Sequence, residues 1–184
     1  LFLDIKDAAD KGDLKLKGEL KKKLYYFTPC IDTDGLGRSY SNIISFSGLI
    51  QVDFDGLTNA TKFRDWFFDS CKSCILCGLS PSGYGIKALV RIPQVKTVDE
   101  YKSYFYGIGV YLEQFKGFDI ATQNPSLALY MFHDPDLRWR EDATVSNIRG
   151  LKLYAHDKNN IVDLVSLDKK EILRELDVMK AAGI

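Results

Sequence analysis

Two aspartates two residues apart, Asp53 and Asp55, close the apolar run SGLIQVDFDG at residues 47–56. In an extended chain successive side chains point to opposite faces, so Val52 and Phe54 share one face and the two carboxylates the other. Their Cα atoms then lie roughly 6.6 Å apart, at about 3.3 Å per residue. Carboxylates about 5 Å apart repel by about 3 kcal/mol at an effective dielectric near 20. Such a pair calls for a proton or a cation, and a hard divalent ion with oxygen ligands is the cation that suits it. Two other pairs share the spacing, Asp32/Asp34 and Asp134/Asp136, but both fall in loop-like sequence. Only Asp53 and Asp55 follow an apolar strand that would hold them rigid.

The second chemistry-bearing stretch is SPSGYGIK, residues 80–87. Ser82 offers a hydroxyl, while Gly83 and Gly85 lack a Cβ and let backbone N–H groups approach a phosphate. Lys87, on the strand leaving the turn, can add a cation to the same phosphate. The spacing is not that of a Walker loop, and Ala88 follows the lysine. A plain glycine hairpin between two strands is the bland reading. Taken together, an acidic strand end and a phosphate-cradling turn are the minimum equipment for nucleotidyl transfer. One metal ion would activate a 3′-hydroxyl and another would neutralise the triphosphate and leaving pyrophosphate. A third carboxylate completes such a site, and Asp119 is the candidate.

These groups need a scaffold. Residues 4–24 read as an amphipathic helix, or two broken near Gly12 or Gly18. The stretch DTDGLG at 32–37 is turn chemistry; Leu36 at its fifth position argues against a calcium loop. Residues 38–55 carry one or two strands. A helix capped by Thr58 or Asn59 follows, with Phe63, Trp66 and Phe67 as its core stripe. SCILCGL is a buried strand and IKALVRIP another, with Lys87, Leu89 and Arg91 on one face and Ala88 and Val90 on the other. Residues 97–115 form a long helix, with Thr97 and Glu100 as a capping box. Its aromatics, Tyr101, Tyr104, Phe105 and Tyr111, read as core packing more readily than as base-stacking groups. Asp119 falls in a loop, LALYMF is a strand, and HDPDLRWRED a polar loop. A short strand, GLKLYA, and a capped helix over 166–183 close the chain. The fold class is α+β, one domain over residues 1–184 with a mixed or antiparallel sheet: a helical lead-in at 1–28, a core at 29–150 and a C-terminal strand and helix at 151–184.

Composition bounds the partners. A chain of 184 residues, 46% hydrophobic, can bury a real core. No apolar run reaches the roughly 18 residues a membrane helix needs and no signal-peptide pattern opens the chain, so a soluble cytoplasmic domain is expected. The first residue is Leu1 rather than Met, which points to a piece of something larger. Net charge is zero, against the basic excess of most non-specific DNA binders. Lysines do cluster at Lys15, Lys17, Lys21, Lys22 and Lys23, for which a solvated helix face is the plain account. Of the four cysteines, Cys71, Cys74 and Cys77 have spacings that hold zinc or iron–sulfur centres elsewhere. Their apolar setting, with Cys30 and both histidines (His133, His156) remote in sequence, favours small hydrophobes.

The order of parts resembles the archaeo-eukaryotic primase superfamily, the primase–polymerases, and most of all the primase-like N-terminal domains of phage, plasmid and mobile-element replication proteins. The stretches that carry the resemblance are FSGLIQVDFDGL (46–57), LSPSGYGIKALVRIP (79–93) and, more loosely, GFDIATQNPSLALYMFHDPDL (117–137). The resemblance implies an RRM-like sheet of archaeo-eukaryotic primase type. Asp53, Asp55 and Asp119 would be the catalytic metal ligands for Mg²⁺ or Mn²⁺, with Ser82, Gly83, Gly85 and Lys87 on the phosphates of an NTP or dNTP. It also implies a single-stranded DNA template and a fused or associated helicase, in a bacterial host cytoplasm if the protein is phage-encoded. Two departures stand out. Lys87 replaces a common histidine, and Leu127 follows Ser126 where relatives carry arginine; Arg91, on the strand face of Lys87, is the residue that could substitute. The expected function is DNA priming or polymerisation. The rivals are a catalytically weakened nucleotide- or DNA-binding module and a metal-dependent nuclease using the same acids.

Overall fold

The computed structural model describes residues 1–35 and 37–150; the short strand and the helix expected after Gly150 lie outside the described residues. The chain opens with α1 (Phe2–Asp10) and α2 (Leu14–Lys21), so the lead-in is two helices broken at Gly12 and not at Gly18. Asp13 caps α2, its carboxylate accepting from the N–H of Leu16 at 2.9 Å. Then follow β1 (Tyr26–Phe27), β2 (Ile31–Thr33), β3 (Ile43–Phe46), β4 (Leu49–Asp55), α3 (Ala60–Ser70), β5 (Cys74–Leu79), β6 (Gly85–Arg91), α4 (Val98–Leu112), β7 (Leu129–Tyr130) and β8 (Arg138–Trp139). The described sheets are antiparallel throughout. None of the described helices is long and apolar enough to cross a membrane.

The main sheet has the order β4-β6-β5-β8. On the free side of β4 the chain returns after α4: Phe118 bridges Phe54, Asp55 N–H donates to Gly117 carbonyl at 2.8 Å and Asp119 N–H to Asp53 carbonyl at 2.9 Å. Residues 117–119 thus act as a one-bridge edge strand, and β4 is central. The chain path through this unit is β-α-β-β-α-β, with the first strand lying between the last and the third.

Alternation sorts the faces. Ile50, Val52 and Phe54 of β4 stand opposite Val90, Ala88 and Ile86 of β6, and all six are buried. They meet Phe63 and Phe67 of α3 and Tyr101, Phe105 and Ile108 of α4 in one core cluster. Burying a side chain such as Phe54 contributes about 1.5–3 kcal/mol. Both helices are capped as their sequences direct: Asn59, rather than Thr58, accepts from Lys62 N–H at 3.0 Å, and Thr97 accepts from Glu100 N–H at 3.1 Å. The helix expected to run to Phe115 ends at Leu112, and its aromatic stripe is core: Tyr101, Tyr104 and Phe105 are buried.

Two expectations change around residues 129–139. The strand expected over LALYMF shrinks to Leu129–Tyr130, which pairs with β1 instead of the main sheet. The stretch expected to be a polar loop instead supplies β8 and a buried carboxylate. Asp134 takes two hydrogen bonds from Arg64 Nη1, at 2.8 and 2.9 Å, and one from Leu79 N–H at 2.8 Å. That anchor stitches the loop to α3 and β5.

Candidate functional site

The face of β4 turned away from α3 and α4 carries Gln51, Asp53 and Asp55. Asp53 stands directly opposite Lys87 on β6, and Asp55 opposite Gly85. Asp53 and Lys87 close an ion pair with both side chains almost fully covered. Lys87 thus supplies Asp53, but not Asp55, with a cation from within the chain. Gln51 Nε2 adds a hydrogen bond to Asp53 at 3.2 Å, while Gln51 Oε1 is buried with no donor. Burial pushes the Asp53 carboxyl above its ordinary value, and the attraction of Lys87 and the Gln51 bond only partly oppose it.

Asp55, by contrast, is exposed. It borders a cleft of about 410 Å³ lined by Ala9, Leu14, Lys17, Lys21, Asp55, Gly56, Ser82 and Tyr84. Lys17 and Lys21 lie one turn apart on α2, a spacing that puts both ammonium groups on one helix face. Neither makes an ion pair among the described residues. Burial holds the half-buried Lys21 below the ordinary lysine value. Repulsion from Lys87 and Lys17 adds to this, against the attraction of Asp55 and Asp53. The lysine cluster is thus not only a solvated face, because two of its members roof a recess beside the acidic strand end. Their helical spacing is legible in the sequence; the fold of α2 over β4 is not.

The glycine corner forms the adjoining wall. Gly83 N–H closes a tight turn on Ser80 carbonyl at 2.8 Å, and Ser80 N–H bonds Gly85 carbonyl at 2.8 Å. A Cβ on Gly85 would overlap the carbonyl oxygen of Phe54, so this glycine is required by the close approach of β4 and β6. Ser82, mostly buried, shares a 3.2 Å hydroxyl contact with Ser80. Tyr84 reaches back to α1, donating to Asp10 at 2.8 Å beneath Lys6. Tyr84 and Gln51 are site residues that sequence reasoning missed.

Asp119 lies beside Asp53 in the register of the sheet, as the two flanking hydrogen bonds require. Its carboxylate is spent locally, accepting from Ala121 N–H at 2.9 Å to cap a 3-10 turn at Ile120–Gln123. Among the described residues no three acids, histidines or cysteines gather closely enough to hold a metal ion as they stand. Arg91 is on the strand face of Lys87 but four residues along, with its guanidinium on Ala143 carbonyl at 2.9 Å, and does not join the cleft. The structure therefore brings together Asp53, Asp55, Ser82, Gly83, Gly85 and Lys87, sets Asp119 beside them and leaves Arg91 outside.

A family model described as "BT4734-like, N-terminal domain" matches residues 19–139. The match takes in the acidic strand, the glycine corner and Asp119. It corrects the resemblance to the primase–polymerase superfamily: the family matched is a different one. No curated protein and no solved structure shows a significant match.

Proposed function

We propose that this chain, which belongs to the BT4734-like N-terminal domain family, holds the phosphates of an NTP or dNTP in the cleft between α2 and the β4 end, and carries out metal-dependent nucleotidyl transfer on a single-stranded DNA template. The observation that carries the reading is Lys21: an ammonium half withdrawn from water, beside Lys17, making no ion pair among the described residues and with a cleft in front of it. A recess of that kind favours an anion, and its floor carries a free carboxylate, Asp55. The β-α-β-β-α-β path and its interleaved strand order support an RRM-like sheet beneath it.

The donor set suits Mg²⁺ or Mn²⁺: the carboxylates of Asp53, Asp55 and Asp119 are hard oxygen ligands, and Gln51 Oε1 lacks a partner beside them. Such an ion, held by these acids, would activate the attacking hydroxyl and neutralise charge on the leaving pyrophosphate. Lys87 would release Asp53 and turn its ammonium to the phosphates, which Ser82 and the glycine corner face. Lys17 and Lys21 would hold the remaining phosphate charge, and Tyr84 would close the wall behind it.

A second reading, a nucleotide-binding module without turnover, is favoured by the ion pair itself, since Lys87 occupies Asp53 and Ala121 occupies Asp119. Template-directed extension of a labelled primer, with Mg²⁺ or Mn²⁺, separates the two. Incorporation by the wild type, lost in Asp53→Asn and Asp55→Asn, is the expected result. Failure to incorporate with either metal, or undiminished incorporation by those variants, removes the transferase. Calorimetric nucleotide binding without incorporation would then identify the binding module. In either case Lys21→Ala should weaken nucleotide binding by roughly tenfold or more, the value of a hydrogen bond to a charged group.

A further inference from the structure

β1 and β7 form a separate two-stranded ribbon whose outward face is aromatic and basic. Tyr26 and Tyr130 stand opposite each other, ring centroids 5.9 Å apart and inclined at 68°. The Arg38 guanidinium lies 5.1 Å from the centre of the Tyr26 ring and donates to Ser126 carbonyl at 3.2 Å, which fixes its plane. Tyr25 is 88% exposed and Tyr26 53%. Exposure of this extent is not what a core-facing ribbon shows; of the second register pair, Leu129 is buried and Phe27 is exposed. Immediately before the ribbon come Lys22 and Lys23, both exposed. None of the ion pairs among the described residues involves Lys22, Lys23 or Arg38.

We infer that this ribbon is a platform for single-stranded nucleic acid, with bases stacking on Tyr26 and Tyr130, a further base on Tyr25 just before the strand, and phosphates meeting Lys22, Lys23 and Arg38. Flat exposed rings give sequence-tolerant stacking, and unpaired cations beside them match a phosphate backbone. A zero net charge does not oppose this, because Lys22, Lys23 and Arg38 supply a local positive charge next to the rings in chain or in space. Duplex would not fit the rings, since its bases are already stacked. The ribbon also joins the cleft: Lys21 lines the cleft and Tyr25 starts the platform four residues later, a span of at most about 14 Å. The inference deepens the template half of the proposed function and takes its direction from that reading.

The test is fluorescence anisotropy of a short labelled oligo(dT), titrated with the protein over a series of salt concentrations and without nucleotide or metal. Saturable binding is expected, with log affinity falling linearly as log salt rises. Tyr26→Ala/Tyr130→Ala should weaken it on the order of tenfold or more. Lys22→Ala/Lys23→Ala should flatten the salt slope by about 0.7 for each phosphate no longer neutralised. Tyr25→Ala, at a position too exposed to support the fold, should weaken binding with an unchanged thermal melt, and decides the matter if the double variant is unstable. Absence of saturable binding at low salt, equal affinity for duplex, or wild-type affinity in the tyrosine variants would overturn the platform. So would a dimer by light scattering that these variants dissociate, which would make the face a contact between two copies. Because the assay contains no nucleotide, it can fail while the nucleotide reading stands, and the reverse holds for primer extension.

Discussion

Lys87 and Asp53 face each other across β6 and β4, and each is the other's buried counter-ion. Burial raises the Asp53 carboxyl despite the lysine, so the pair does not repay the loss of water around the carboxylate. A buried pair of that kind is weak evidence for stability and better evidence for a site held ready for something else.

The first prediction tests that imbalance. Removing one partner, as in Lys87→Met, leaves a buried carboxylate alone and should cost about 3–5 kcal/mol, whereas Asp53→Asn/Lys87→Met together should recover most of it. The sign with pH follows. The folded state holds the Asp53 proton more tightly than the unfolded state. Its contribution is therefore full below the ordinary value of 3.8 and is lost as pH rises through the higher folded value. Urea unfolding between pH 3 and neutrality should show that component in the wild type and not in Asp53→Asn. A single variant as stable as the double one would mean that the pair is not coupled.

The second prediction concerns Lys21. Its ammonium sits below the ordinary 10.5 because of burial and neighbouring lysines, and a bound phosphate would restore the charged form. Nucleotide affinity should be flat below the depressed value and should fall as pH rises through it towards 10.5. Calorimetry near the depressed value, in two buffers of different ionisation enthalpy, should register proton uptake on binding. Lys21→Gln should abolish that uptake. Equal uptake in the variant would assign the proton to another group.

What can be read from the residues follows from where the forces are local. Alternation along LIQVDFD and GIKALVR, capping by Asn59 and Thr97, and the glycine corner are set by neighbours in sequence, and all appear as expected. The pairing of Lys87 with Asp53 depends on register between strands 34 residues apart, which periodicity does not fix. Both residues stand out in the sequence, yet as partners of a ligand and not of each other. β1, β7 and β8 are two residues each, too short to show a period, and their places come from tertiary pairing alone. Asp134 reads as a loop residue because nothing local marks the distant Arg64 that buries it.

The third prediction is structural and bears on Asp119. Gly117 has a φ of +90°, and a Cβ there would overlap the carbonyl oxygen of Asp55. Gly117→Ala combines backbone strain with a clash that only movement of the edge segment relieves. A loss of about 2–3 kcal/mol is expected. Amide exchange should locate the damage, with protection lost at Asp55 and Asp119, the two N–H groups that tie residues 117–119 to β4. Protection unchanged at both would show that the edge strand does not depend on this glycine.

The last prediction separates the two accounts of the cysteines. Cys30, Cys71, Cys74 and Cys77 are all free and buried. Burial pushes the Cys30 thiol up to about 12 and raises Cys71 and Cys74 as well, so at neutral pH these three are protonated. The thiolate is both the nucleophile and the metal ligand, and a thiol held protonated in an apolar setting does neither job. In the folded protein at about pH 7.5 these thiols should therefore react with an aromatic disulfide reagent no faster than the protein opens, while in denaturant all four should react at once. A strong chelator should leave the melting temperature unchanged. Rapid labelling of a native thiol, or a stoichiometric metal ion released on denaturation, would instead make the C-x-x-C-x-x-C run a ligand set.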